Sequence, residues 1–481
     1  MRCFHGILCD TQIILTPIFL FCLLLKTSLV LATPSSANEG VELVLDLNQI
    51  IDRARSSNRH LLQSGLLVQK NRYSLQSTES EFDWQVRPVA NLGYSKSDSF
   101  SEQATGISGR ISKKSSFGVE TAFSPSVAYV DNDGISSGVG VSLTIPLFRG
   151  FGKEYNYDSI YTADFALESS IRNVYLAEVE KIIETVSLAY EVVRQQTLID
   201  LYGEQDRRLN KHVVTIQLME TTGLGSQIDT YRAQIRQKDV QNQLANARQQ
   251  YQAALDRLKV LLALPVETQL KIKIPLSYEL TKIKNKEAEE IALLNRLEID
   301  QAKADLAEAR RKAKVTKIRI LPDLNFVATY RKNSFLENID ASESNFGDYW
   351  SVGFTSNTDV ARSSEKASYQ QSLLDVRQKK LQQESQTDTI RAEVRNKLDA
   401  LKKEVQTIRL REEQIVQARG KSRLAEIKFS HGMGGNFDFI EADTELQRAK
   451  ANLLSGKINY IVGQYRLRAA LGTLISRKNN E

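Results

Sequence analysis

Gly223-Leu224-Gly225-Ser226-Gln227-Ile228-Asp229 is answered further along the chain by Gly432-Met433-Gly434-Gly435-Asn436-Phe437-Asp438, and at the same offset Leu262-Ala263-Leu264 is answered by Leu471-Gly472-Thr473. Each seven-residue pattern sits at a crease between two long stretches without proline. The chain is therefore a duplication whose unit is a helical hairpin with something before it, and such a repeat fixes architecture ahead of any motif.

Outward from the first crease, Glu154 to Thr222 has no proline and one internal glycine, Gly203. That predicts a helix on the order of 100 Å long at 1.5 Å per residue. Its counterpart, Ala361 to Ser430, carries Val394, Leu398, Leu401, Val405, Ile408 and Ile415 at heptad-like spacing, the seam of a coiled coil. The returning helices, Ser226 to Leu264 and Asn436 to Leu474, are little more than half as long. Shorter helices, Leu45 to Phe82 with a break near Ser56 to Asn58 and Asn295 to Ile320, can complete the length end to end with them.

Between the short and long helices the period changes from helical to alternating. Ala90, Leu92 and Tyr94 alternate with Asn91, Gly93 and Ser95; Val139, Val141, Leu143, Ile145 and Leu147 alternate with Gly138, Gly140, Ser142 and Thr144. In the second half Leu324, Phe326, Ala328 and Tyr330 make one such run, and Trp350, Val352 and Phe354 another. These are strands wet on one face and apolar on the other. Phe117, Val119, Thr121 and Phe123, inside the Ser/Gly-rich stretch 98–138, supply a candidate arm of an additional hairpin, so four strands per chain are expected, or six.

Charged residues make up 25% of the sequence, with 8 prolines and 2 tryptophans, which suits long solvated helices rather than a thick core. The net charge of +6 is spread out, and without a dense basic run nucleic acid is not an expected partner. Arg2, the apolar run Ile13 to Leu25 that continues after Lys26 to Ala32, and the small-residue stretch Thr33 to Ala37 read as a secretory signal cleaved after Ala32 or Ala37, the alternative being an uncleaved anchor, for which the run is short. Cys3, Cys9 and Cys22 all lie in the signal segment, so the exported chain is expected to form no disulfide and no thiolate metal site. No later run is apolar enough for a spanning helix, which leaves strands as the way across a bilayer. Only His60, His212 and His431 remain as histidines after processing, and Gly223-Leu224-Gly225 lacks a phosphate-loop continuation. His431 and Met433 are too few to hold a soft metal. No enzyme activity, catalytic residue, metal or cofactor is expected.

Strands with one lipid-compatible face must close, because open edges leave backbone groups without partners in hydrocarbon. At four strands per chain, three chains give a twelve-stranded barrel with a lumen, and two give eight strands filled by side chains. Helices of such length must project from the barrel into water, side by side.

The alternation ending in Leu143-Thr144-Ile145-Pro146-Leu147-Phe148-Arg149-Gly150-Phe151-Gly152, the segment Asn295-Arg296-Leu297-Glu298-Ile299 leading to Ile320-Leu321-Pro322, and the two glycine-punctuated creases each followed by Asp resemble the TolC-like outer-membrane efflux proteins. The resemblance implies a mainly α fold with β: a duplicated repeat whose long antiparallel coiled-coil helices form a periplasmic α-barrel below a trimeric transmembrane β-barrel. It implies the exit duct of a tripartite efflux or type I secretion system in the outer membrane of a Gram-negative bacterium. Its partners would be its own copies in a homotrimer, outer-membrane lipid, and a periplasmic adaptor with an inner-membrane pump or exporter. The competing reading is a periplasmic coiled-coil adaptor or scaffold, which has no need of one-faced strands.

The expected organisation is a signal peptide (1–37) and a first repeat (38–264, strands about 86–97 and 138–148, helical hairpin 154–264). An equatorial linker (265–290) leads to a second repeat (291–475, strands about 322–331 and 349–356, hairpin 361–474) and a tail (476–481). In the family the creases form the periplasmic tip, where acidic side chains ring the channel entrance. The matching positions are Asp438 and Glu441, with Asp229 aligned to Asp438. The bland account is that an acid in a first helical turn favours the dipole, and that Ser226 with Asp229 has the form of a capping box. Gly223, Gly225, Gly432 and Gly434 would make the tip turns and the adaptor contact. Where some members carry a basic latch residue, this chain has Gly434 and Gly435.

Overall fold

A computed structural model describes residues 43–97, 100–130, 134–336 and 345–476; the expected signal segment, with its three cysteines, and residues 477–481 lie outside the described residues. The first half runs β1 (Leu43–Leu45), α1 (Leu47–Ser57), α2 (Arg59–Glu79), β2 (Gln85–Ser97), β3 (Phe100–Lys114), β4 (Glu120–Val130) and β5 (Gly134–Pro146). It continues through one turn, α3 (Lys153–Asn156), into α4 (Asp158–Thr221) and α5 (Gln227–Leu261). The second half runs β6 (Leu270–Ile272), α6 (Asn285–Asn295), α7 (Leu297–Arg319), β7 (Leu324–Leu336), β8 (Asn345–Ser356), α8 (Ser363–Ser430) and α9 (Asn436–Ala470). Helices α4 and α8 hold 64 and 68 residues.

Each half breaks its short helix at one extended residue. Asn58 (φ −62°, ψ 124°) ends α1 and caps α2, its Oδ1 accepting from the backbone N–H groups of His60 at 3.0 Å and Leu61 at 3.3 Å. Its Nδ2 donates to the Leu261 carbonyl at the end of α5, 2.8 Å away. One buried side chain thus ties three helix ends, and α2 takes up the packing along α4 where α5 stops. Arg296 (φ −76°, ψ 124°) separates α6 from α7 in the same way. Beside it the end of α9 closes on Asn295, leaving no room for a side chain at Gly472, whose φ is +69°.

The apolar cores gather at this level. Ile50, Ala54, Val192, Leu258, Leu261 and Leu262 pack α1 against mid-α4 and the end of α5. Val394, Leu398 and Leu401, from the heptad seam read from the sequence, pack with Ile390 against Ala288, Ala292 and Leu467. Ile182, Val186, Ile458 and Ile461 join α4 to α9. Two expectations change here. The helix expected from Leu45 begins at Leu47, because Leu43–Leu45 pairs in parallel with Leu270–Ile272. The helix expected from Asn295 is preceded by α6, so the segment read as linker 265–290 contains a strand and the first turn of a helix.

The larger sheet has six antiparallel strands in the order β2-β3-β4-β5-β7-β8. Six is the upper of the two counts the sequence allows, and the Ser/Gly-rich stretch supplies the extra pair, β3 and β4. The surplus also shows in the chain lengths: Asn58 and Gly223 are 165 positions apart, whereas the equivalent Arg296 and Gly432 are 136 apart. One cross-strand row reads Val86, Ile111, Phe123, Val141, Tyr330, Trp350, and the adjacent row reads Gln85, Ser112, Ala122, Ser142, Thr329, Ser351. Because side chains alternate across a sheet, one face is apolar over all six strands and the other is small and polar.

Candidate functional site: the creases and the strand wall

The two creases share one backbone solution. At the first, Gly223 has φ +75°, and the N–H groups of Leu224 and Gly225 both donate to the Met219 carbonyl, at 2.8 and 2.9 Å. At the second, Gly432 has φ +69° and Met433 N–H donates to the Lys428 carbonyl at 2.8 Å. A left-handed glycine lets the last helical carbonyls be satisfied within the turn. A Cβ on Gly225 or Gly434 would stand 3.1 or 2.9 Å from the preceding helix, which is why small residues follow. Leu224 and Met433 project into solvent at 79% and 70% exposure.

Asp438 is exposed in the first turn of α9. Glu441 is also exposed, 3.6 Å from Lys421 on α8, and Lys421 reaches Glu445 as well, at 2.9 Å. The hydrogen bond with Glu445 and the charge of Glu441 hold the Lys421 ammonium above its ordinary pKa. Asp229 is placed differently. It is half-buried, 3.7 Å from Arg232, and its backbone carbonyl accepts from Asn436 Nδ2 at 2.9 Å. The structure therefore brings Asp229 into the contact between the two creases, while Asp438 and Glu441 face water. The capping box suggested by Ser226 and Asp229 does not form, because the Ser226 hydroxyl accepts from Ile228 N–H instead.

Behind the creases is a buried polar joint between the repeats. His212 on α4 stacks on Phe439, ring centroids 4.0 Å apart, with Phe429 tilted at 4.7 Å beside both rings. Its Nε2 donates to Asn436 Oδ1 at 2.7 Å. Two turns along α9 from Asn436, the buried Asp443 carboxylate accepts from Gln205 Nε2 at 2.8 Å and forms an ion pair with the Arg208 guanidinium 2.9 Å away, both on α4. Sequence reading passed over these residues because a lone His, Gln or Asp on a helix face carries no signal until the partner helix is known. His431, set aside as a metal ligand, accepts its place as a cap: its Nδ1 lies 2.9 Å from the Ile427 carbonyl. No cluster of His, Cys, Asp and Glu suited to a metal ion occurs among the described residues.

At the opposite end the sheet curves, its polar face concave and lined by Ser108, Arg110, Ser124, Ser136, Thr329 and Arg331. The apolar face is bare: Val86 is 66% exposed and Trp350 74%. Among the described residues no helix is long and apolar enough to cross a membrane.

Residues 290–473 match the family model described as outer membrane efflux protein. Among solved structures the chain is similar to the MtrE outer membrane channel of Neisseria gonorrhoeae, with 16% identity over 90% of this chain and 91% of that one and a TM-score of 0.70. It is similar to the CmeC outer membrane channel of Campylobacter jejuni, at 13% identity over 90% and 87% with a TM-score of 0.69. The outer membrane protein VceC of Vibrio cholerae gives 14% identity over 89% and 96% with a TM-score of 0.68. A search of curated proteins finds no match.

Proposed function

We propose that the chain is an outer membrane efflux protein of TolC-like fold that works as a homotrimeric, passive exit duct across the periplasm and outer membrane, fed by an inner-membrane pump or exporter through a periplasmic adaptor. The observation that carries this reading is the wall: six strands whose apolar face carries exposed large side chains on every strand, from Val86, Ile107 and Phe123 to Val141, Tyr330 and Trp350, and whose polar face is concave. A periplasmic scaffold would leave such a face in water at a cost of about 25 cal/mol per Å². In the bilayer the same face is at rest, and its two open edges find partners in sister copies.

At the far end Asp438 and Glu441, three residues apart on one face of α9, would line the aperture in three copies, with Lys421 holding Glu441 in place. Asp229 would serve the ring from behind, through Asn436, by fixing how the two creases meet. Gly223, Gly225, Gly432 and Gly434 would form the turned ends that the adaptor grips. The test is purification of the processed chain. It is expected to require detergent, to run as a trimer, and to give discrete current steps in a planar bilayer; a monomer soluble without detergent overturns the reading.

A further inference from the structure

We propose that the β3–β4 hairpin is an insertion in the transmembrane wall itself, so that three copies close an eighteen-stranded barrel and the outer-membrane bore admits cargo too bulky for a twelve-stranded one. The strand count per chain stands on the structure; the factor of three rests on the homotrimer proposed above.

Three observations carry it. The hairpin is not a surface flap. Strand β3 pairs with β2 along the whole length of β2, from Gln85↔Ser112 to Ser97↔Phe100, and β4 pairs with β5 from Glu120↔Thr144 to Val130↔Gly134. At 11 to 15 residues both strands reach the length a tilted strand needs to cross a bilayer. Their faces are in phase with the rest of the sheet. Ile107, Ile111, Phe123, Val127 and Tyr129 continue the apolar side, whereas Ser108, Arg110, Ser112, Ser124 and Ser126 continue the concave polar side.

The helix-side turn of the hairpin is also built into the junction where the wall meets α4. Gly118 (φ +90°) packs so closely that a Cβ would lie 2.3 Å from the Gly150 carbonyl oxygen. Gly152 N–H donates to the Phe117 carbonyl at 3.1 Å, and the Phe117 and Phe151 rings lie 6.1 Å apart. Finally, an inserted pair keeps the number of strands even. The edge strands β2 and β8 still run in opposite directions, so neighbouring copies meet antiparallel and a ring closes without a parallel seam. Barrel diameter grows roughly in proportion to strand number, so eighteen strands give a bore about one and a half times as wide as twelve.

The test uses the full chain in liposomes and exploits the absence of cysteine after residue 22. Ser108→Cys is expected to react with a membrane-impermeant thiol reagent, and Ile107→Cys only with a lipid-soluble one; equal reaction of both with the impermeant reagent overturns the proposal. A second variant deletes residues 98–130, leaving 131–133 as a turn that keeps the faces of β2 and β5 in phase. With Ser142→Cys as reporter, the largest polyethylene glycol maleimide admitted from the outer face is expected to fall to about two-thirds of the original diameter. An unchanged cut-off in an intact trimer overturns the proposal. Native mass separates the two readings, because a copy number other than three overturns the homotrimer while the labelling pattern still decides whether the hairpin is wall.

Discussion

Burial at the joint between the repeats outweighs the hydrogen bond with Asn436 and the charge of Asp443, and holds the His212 imidazole below its ordinary value of 6.5. The folded joint then binds a proton less readily than the unfolded chain. Stability is insensitive to this group well above pH 6.5 and falls as the pH drops below it, because the unfolded state gains protons the folded state refuses. The groups facing the ring are Asn436, Phe429, Phe439 and, through the same layer, Asp443 with Arg208. Protease cleavage of the native chain at the creases is expected to rise between pH 7 and pH 5, and His212→Gln should flatten that rise. Two glycines make a sharper pair. Gly118→Val meets both a positive φ and a backbone oxygen, and should lower the gel melting temperature of the assembled protein, with a cost of roughly 2 kcal/mol or more. Gly203→Ala, in open space within α4, should raise helix stability by up to about 1 kcal/mol. At the tip, Asp438→Ala with Glu441→Ala should weaken block of current by multivalent cations added on that side, and undiminished block would remove both from the aperture.

The strands and helices differ in how plainly the sequence announces them. Strand β5 alternates large apolar residues with Gly, Ser and Thr, and β8 sets Trp350, Val352 and Phe354 against Ser and Gly, so period alone reveals them. In β3 the apolar face is Thr105, Ile107, Gly109, Ile111 and Lys113, an alternation diluted by small residues, and it emerges only when the neighbours on both sides are seen. The creases and the heptad seam were legible because glycine geometry and helical period are local. The pairing of β1 with β6, more than 200 residues apart, was not, and neither was the polar joint, whose partners lie on opposite repeats. For the wall, the concave face carries among its described residues Arg87, Arg110, Lys114 and Arg331 against Glu120, which is 2.9 Å from Arg110, and Glu81 at the helix-side rim. This excess of cations should favour anions in the bore. Reversal potentials in a salt gradient check it: Arg87→Gln with Arg331→Gln should move selectivity toward cations.

Across the described residues the two repeats agree in their long helices and disagree in the strands they give to the wall, four from the first half and two from the second. The wall edges carry a consequence of that layout. Each copy offers an outward-running border on one side and an inward-running border on the other, so the strand layer by itself would accept a ring of any membership. Stoichiometry must then be dictated where curvature is stiff, by the interlocked rods below, and girth is free to vary independently of it. Splicing the segment from Phe100 to Val130 into a slimmer relative should enlarge its mouth without recruiting another subunit.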